Sequence, residues 1–286
     1  MGRCLSPGRP IAAPEIVVTR ITSPKPLPAG TGTQDLAPTP GAAAAQSRLV
    51  IPLGRGARGK TWWTRWAVER AQQAGRDVVV ADADRTNATL SAYFAGVVTP
   101  PSANDADMRD WFGAFCDQLI ERRLTAALDL GGGDLLLKRL AREIGLADFL
   151  EANGVQPVAV HLLGPDRDDL AYLRDLEADR LFAPEATILV LNEALVPQGR
   201  SVQAAFGSVV EHPIFLAAVK RGARPVWMPR LVPAHEVDDR RLPFAAAEAG
   251  RVKDGQPPIG PWVRQYVAVW RRAMEANFAP VAGWLP

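Results

Sequence analysis

The chain has 286 residues, 48% of them apolar, with a formal net charge of +2, enough for one large domain or two small ones around a substantial core. The near balance of charge argues against a protein dominated by a nucleic-acid-binding tail, and two cysteines in unrelated contexts, Cys4 and Cys116, argue against a disulfide framework or a zinc site and for a reducing cytoplasm. No apolar run is long enough to span a bilayer, and the amino terminus lacks the continuous apolar stretch of a signal peptide.

Residues 1–46 read as a disordered tail rich in proline, alanine, glycine and threonine ("SPKPLPAGTGTQDLAPTPGAAAA"). Such a segment cannot bury enough apolar surface to offset its ordering entropy. Its short "EIVVTRI" is a transient strand or a docking segment at most. Residues 47–286 read as one domain, ending in a helix. The run 49–53 is an apolar strand, followed by a glycine loop and a helix over 61–74 that stops at Gly75. "DVVVADAD" is a second strand, and 105–123 an amphipathic helix. "TAALDLGGGD" is a third strand that runs into glycines, followed by helical sequence to about Asn153. "QPVAVHLLG", "ATILVLNEAL" and "RPVWMPRL" are strands four to six, with helices over 167–178 and 213–220 between them. Near-continuous apolar strands separated by helices predict a buried, mostly parallel sheet in a doubly wound α/β fold. In such folds ligands bind beyond the carboxyl ends of the strands.

The loop after the first strand, "GRGARGKT", fits two phosphate-binding patterns. Gly54, Gly56 and Gly59 make the dinucleotide fingerprint G-x-G-x-x-G; Gly54, Gly59, Lys60 and Thr61 make the P-loop G-x-x-x-x-G-K-T. Asp82 and Asp84, ending the second strand, suit a ribose in the first reading. That reading leaves Lys60 and Thr61 without a role. In the second, main-chain amides wrap a phosphate at the helix start, Lys60 reaches the β- and γ-phosphates, and the Thr61 hydroxyl ligates Mg²⁺. Asp129, closing the third strand before Gly131, Gly132 and Gly133, adds a carboxylate beside the loop that can hold the metal directly or through water. The triphosphate pattern is favoured on these grounds, and ATP with Mg²⁺ is the expected ligand pair.

With these motifs in view, the chain resembles the ParA/MinD superfamily of P-loop ATPases over most of residues 48–232. That family carries a deviant loop, K-G-G-x-G-K-[ST], then D-x-D on the second strand and D-x-x-[GP] on the third. The matching residues are Arg55-Gly56-Ala57-Arg58-Gly59-Lys60-Thr61, Asp82-Ala83-Asp84 and Asp129-Leu130-Gly131-Gly132. Within it, "DADRTNATLSAYF" and "DLGGGD" are most similar to the TraL-type conjugal-transfer and StbB-type plasmid-stability branch. The resemblance implies a slowly hydrolysing ATP switch, a nucleotide-dependent homodimer, and a protein or DNA-associated partner in plasmid partition, conjugation or the positioning of a cellular assembly.

It also implies roles for individual residues. Arg55 stands where the family's signature lysine contacts phosphate across a dimer, and Lys60 and Asp84 complete the catalytic set, Asp84 positioning the attacking water or else capping a turn. Gly54, Gly56, Ala57, Arg58, Gly59, Lys60, Thr61 and Trp62 would line the nucleotide, with Asn192 on adenine and Pro229 giving backbone contacts to the base. Thr61, Asp82 and Asp129 are the metal candidates, although Asp82 serves equally well as a turn cap and Asn192 as a turn former. Arg55 departs from lysine, Ala57 from glycine, and Trp62 from a small hydroxyl residue, so ATP binding is better supported than efficient hydrolysis. Other classes remain open: a non-hydrolysing interaction protein, a P-loop small-molecule kinase, or a dinucleotide-binding Rossmann protein. His161, His212 and His235 lack metal spacing, and the basic group Lys220, Arg221 and Arg224 reads as a solvated face or a DNA contact. The stripe Val263, Tyr266, Val267, Trp270, Met274 and Phe278 packs on the sheet or docks a partner or membrane surface.

Overall fold

The computed structural model describes residues 46–84, 89–131, 135–252 and 255–286. The tail expected over 1–46 therefore lies outside the described residues, apart from Gln46, as do Arg85, Thr86, Asn87, Gly132 and Gly133 of the motifs.

Six strands form one sheet: β1 (Ser47–Leu53), β2 (Val79–Ala83), β3 (Ala126–Leu130), β4 (Val155–Leu163), β5 (Thr187–Asn192) and β6 (Arg224–Met228). All neighbours pair in parallel, in the order β2-β3-β1-β4-β5-β6. This is the doubly wound sheet of the P-loop type that the alternating pattern predicts. Side chains alternate across a strand, and β1 shows why its apolar run is unbroken. Leu49, Ile51 and Leu53 enter one core layer and Val50 the other, each at most 2% exposed.

The first layer holds α2 (Asp105–Arg122), α3 (Leu136–Ile144) and α4 (Leu146–Ala152), packed through Trp111, Phe115, Leu140 and Leu150. The helical sequence expected up to Asn153 is thus two helices, because Gly145 turns left-handed between them at φ 59°. The second layer holds α1 (Lys60–Gln73) with three elements near the carboxyl terminus, whose numbers follow from α5 (Leu170–Glu177), α6 (Val202–Val210) and α7 (Pro213–Arg221). They are α8 (Ala234–Asp238), α9 (Phe244–Glu248) and α10 (Pro261–Phe278). α6 is absent from the sequence reading; its Ala205, Phe206 and Val209 pack with α5 and α7.

On α10, Val267, Trp270, Met274 and Phe278 are buried against the sheet and α1, with the Phe278 ring 4.7 Å from Trp66. The stripe is core. Arg221 forks onto Glu177 and donates to the Pro184 carbonyl at 2.9 Å, so one member of the basic group is a structural tie. Among the described residues, no single helix is long and apolar enough to cross a membrane.

α1 is fastened to the carboxyl-terminal elements by two buried polar groups. Arg65, 1% exposed, donates to Asp238 Oδ1 at 2.7 Å and to the Leu242 carbonyl at 3.2 Å, with its guanidinium over the rings of Tyr93, Trp62 and Phe244. Glu69 Oε2 accepts the amides of Phe244 at 2.7 Å and Ala245 at 3.4 Å, at the start of α9. Burial pushes the Glu69 carboxyl up to about 7, against the opposing pull of Arg65 and the two amides. Its unfolded value is about 4.3, so the folded chain binds the extra proton between roughly pH 4.3 and 7 and loses that stabilisation as pH rises through the window. Urea titrations of the wild type and Glu69→Gln should therefore show the wild type losing stability relative to the variant from about pH 4.3 to 7, with a flat difference outside it. A difference that does not change with pH would show that the Glu69 carboxyl is not perturbed.

Candidate functional site

Because β3 lies beside β1 and β2 beside β3, the carboxyl ends of these three strands converge. β2 and β3 pair with Asp82 opposite Asp129, which points both carboxylates to one face. The loop from Gly54 to Gly59 leaves the end of β1 and opens α1.

The loop's backbone explains its glycines. Gly54 has φ 136°, and a Cβ there would meet the Leu162 carbonyl oxygen at 2.7 Å. Gly59, the N-cap of α1, has φ 94°, and a Cβ there would meet Asn192 Nδ2 at 2.7 Å. Gly56 has neither a positive φ nor any atom within 4 Å of such a Cβ. The steric demand from the protein's own atoms thus falls on Gly54 and Gly59, which both loop patterns share, and not on Gly56. Ala57, where the resembled family has glycine, adopts the left-handed conformation at φ 58°.

Lys60 folds back over the loop, its Nζ donating to the carbonyls of Gly54 at 3.2 Å and Arg55 at 3.3 Å. An ammonium has three donors, so one is left for an anion. The Thr61 hydroxyl donates to Asp129 Oδ2 at 2.9 Å. Asp129 is 3% exposed, and among the described residues its Oδ1 has no hydrogen-bond partner. Burial pushes its carboxyl up to about 7; Thr61 and Lys60 oppose this, while Asp82 and Asp84 add to it. Lys60 is shifted down by burial, against the pull of Asp129 and Asp84. Desolvation thus outweighs the mutual attraction of the two groups.

Asp84 lies against the main chain after β3, where a Cβ on Gly131 would fall 3.0 Å from its Oδ1. Asp82 turns inward: its Oδ1 accepts the Asp84 amide at 3.2 Å and its Oδ2 the Leu90 amide at 3.0 Å. These are the contacts of a turn cap. Its carboxyl is raised by burial and lowered by those amides. The fold thus brings Lys60, Thr61, Asp82, Asp84 and Asp129 together at the ends of β1, β2 and β3. Among the described residues no group of three His, Cys, Asp or Glu side chains could hold a metal ion.

The remaining candidates point elsewhere. The Trp62 ring joins Phe244 at 4.9 Å and Trp270 at 6.2 Å, facing the carboxyl-terminal helices. The Pro229 carbonyl accepts Trp270 Nε1 at 2.8 Å. Asn192 Nδ2 donates to the Arg58 carbonyl at 3.0 Å, and its Oδ1 accepts the Ala194 amide at 3.0 Å. Arg58 Nε donates to Asp169 Oδ1 at 2.7 Å, and Arg55, its side chain 45% exposed, lies 3.5 Å from Asp169 and 3.9 Å from Asp166 and Asp168. The acidic loop after β4 went unnoticed in the sequence, where "GPDRDD" looks like the solvated start of a helix. Its signal was available: three carboxylates follow a strand that borders β1, opposite two loop arginines. His161 is fully buried and held low, near 3, by burial and by Arg221, and His212 caps α7.

Beyond β5 and β6 lies a cavity of about 230 Å³, lined by residues that include Glu193, Val196, Gln198, Arg200, Val202 and Arg230. Arg230 closes one wall by donating to the Ala194 carbonyl at 3.1 Å and to that of Val196.

No protein-family model and no curated protein matches the chain. Among solved structures it is similar to the MinD cell division protein of Aquifex aeolicus, at 13% identity and a TM-score of 0.44, over 80% of this chain and 97% of that one. It is also similar to chloroplast FtsY of Physcomitrella patens, at 16% identity and a TM-score of 0.39, and spans 59% of that chain's length with 65% of its own. The signal recognition particle receptor FtsY of Elizabethkingia anophelis gives 13% and 0.38, over 81% of this chain and 68% of that one. At these values the fold rests on the strand order and loop geometry described above.

Those geometries separate two glycines sharply. Gly54→Ala should lose at least about 1–3 kcal/mol through backbone strain, with the Leu162 clash in addition, whereas Gly56→Ala should stay within about 1 kcal/mol of the wild type. Chemical denaturation of the pair checks this; equal losses would remove the steric distinction between the two glycines.

Proposed function

We propose that the protein is a nucleotide switch that binds ATP with Mg²⁺ at the loop between β1 and α1 and hydrolyses it slowly, and that residues 47–286 form this one nucleotide-binding unit. The observation that carries the reading is the pairing of Thr61 with one oxygen of Asp129 while the other is buried without a partner, beside a Lys60 ammonium held by the loop's own carbonyls. A carboxylate with an orphaned oxygen and a hydroxyl whose proton is already committed suit a divalent cation. Thr61 and Asp129 would hold it, and Mg²⁺ bound there characteristically takes its other ligands from phosphate and water. When bound, the metal neutralises charge on the β- and γ-oxygens.

The chain's own groups do the rest. The amides that open α1 face the phosphates with the positive end of the helix dipole. Lys60 supplies its remaining N–H. Asp84, beside Gly131, orients the attacking water, and Asp82 holds the Asp84 amide in place. The cavity beyond β5 and β6 takes the base. The motif resemblance supports the finer reading: a ParA/MinD-type switch that forms a nucleotide-dependent homodimer in the cytoplasm, within plasmid partition, conjugal transfer of the TraL/StbB kind, or the positioning of a cellular assembly. One observation favours a second reading, a binding switch without turnover. Arg55, at the signature position, is engaged with the acidic loop after β4.

ATP–Mg²⁺ at about 100 times Kd should stabilise the fold by about 2.7 kcal/mol, a rise of several degrees in Tm for a domain of this size. Differential scanning fluorimetry should show that rise in the wild type and none in Lys60→Ala. A variant that keeps the full shift would take the loop out of the mechanism, and turnover assays with and without DNA separate the two readings.

A further inference from the structure

Arg58 stands in the middle of the phosphate loop and is gripped twice. Asn192, at the end of β5, holds its carbonyl; Asp169, in the loop after β4, holds its side chain. Both holders are buried, at 3% and 1% exposure, and each is fixed in turn. Asn192 Oδ1 accepts the Ala194 amide at 3.0 Å, and Asp169 Oδ2 accepts the Gly164 amide at 2.8 Å. Two glycines make room for this grip. A Cβ on Gly59 would lie 2.7 Å from Asn192 Nδ2, and one on Gly164 would lie 2.6 Å from Asp169 Oδ2.

A loop that carries left-handed backbone at Gly54, Ala57 and Gly59 has no regular hydrogen-bond ladder to hold it, and an L-residue such as Ala57 adopts that conformation only when its surroundings impose it. Anchors at the loop's centre therefore decide where its amides point. We propose that Asp169 and Asn192 are positioning residues that clamp Arg58 and so preset the amides of residues 56–60 for a phosphate-bearing ligand, and that Asn192 does not read the base. This rests on the nucleotide-binding reading above. Asn192 gives one N–H and one oxygen lone pair to main chain, and its Nδ2 packs so tightly on Gly59 that a Cβ there would lie 2.7 Å away, so the side chain is held on the loop rather than free to swing to a base. Presetting the loop removes the ordering cost that a phosphate would otherwise bear on binding.

The test compares wild type, Asp169→Asn, Asn192→Ala and Arg58→Ala by two readouts. Hydrogen exchange of the amides of residues 56–60 should speed up about tenfold or more in each variant, while the β1 core stays protected. Affinities for ATP, GTP and inorganic tripolyphosphate should all fall by the same factor, about tenfold, leaving the ATP-to-GTP ratio unchanged. Combining Asp169→Asn with Arg58→Ala should cost no more than either alone. If Asp169→Asn fails to fold, Arg58→Ala, which removes a partly exposed side chain, carries the same measurement. Unaltered loop exchange in the variants overturns the clamp even where Lys60-dependent ATP binding is intact. An altered ATP-to-GTP ratio in Asn192→Ala with normal tripolyphosphate binding returns Asn192 to the base and overturns the proposal as well. Faster loop exchange in the variants of a protein that takes up no triphosphate would uphold the clamp and sink the nucleotide reading instead.

Discussion

The hydrogen bond from Thr61 to Asp129 joins the first turn of α1 to the end of β3, and the site's electrostatics are organised around it. It exists because the chain inserts β3 between β1 and β2, so that the strand after the second helix returns to the side of the first strand. It lies in a dry place that also holds the Lys60 ammonium, and among the described residues it leaves Asp129 Oδ1 without a partner. Asp129 is pushed towards its neutral acid and Lys60 towards its neutral amine, because burial penalises both ions by more than their attraction returns. A pair in that condition is poised for additional charge. A cation against Asp129 or an anion against Lys60 would each favour the ionised form, and the two would reinforce one another.

Two phosphate-binding patterns overlap in one octapeptide. Consensus matching treats the three glycines alike, but the fold does not. Gly54 presses on the main chain of β4, and Gly59 on the side chain of Asn192, both with left-handed backbone, while Gly56 faces open space with an ordinary one. Gly54 and Gly59 are the pair that both patterns share. The third glycine, Gly56, meets no protein atom, and its place in such a loop is to let the backbone approach a phosphate. What separates the two patterns is Lys60 and Thr61, which only the triphosphate pattern uses and which the fold sets beside Asp129.

What could be read in advance follows the range of the forces involved. The strands announced themselves because burial on both faces leaves no polar alternation, as in β1 and β5. Lys60, Thr61, Asp84 and Asp129 were legible because each stands at a strand end or helix start, where local sequence fixes position. Gly145 and α6 were missed, since a glycine inside helical sequence is tolerated as often as it breaks the helix. Arg65 gave no sign either. An arginine in the middle of a helix reads as solvated, and its burial depends on Tyr93, Asp238 and Leu242, which lie up to 177 residues away. Asn192 was read as an adenine contact or a turn former; its acceptance of the Ala194 amide is the local contact of a turn former, while its hold on the Arg58 carbonyl, 134 residues away, is a tertiary fact.

These ties make α1 and its loop one rigid piece. Arg65 and Glu69 pin the helix to the carboxyl-terminal elements, Lys60 draws the loop over its own carbonyls, and Asp169 and Asn192 hold Arg58. The switch proposed above needs a part with two states of similar energy, and such a part must be sought among weaker contacts. Arg55 offers one. Its pairings lie at 3.5 to 3.9 Å, its side chain is 45% exposed, and two of its three carboxylates, Asp166 and Asp168, are more exposed still. Ion pairs of that kind contribute little and are screened by salt. Arg55 can therefore leave the acidic loop at small cost when a stronger anion arrives, while the loop that carries it stays in place.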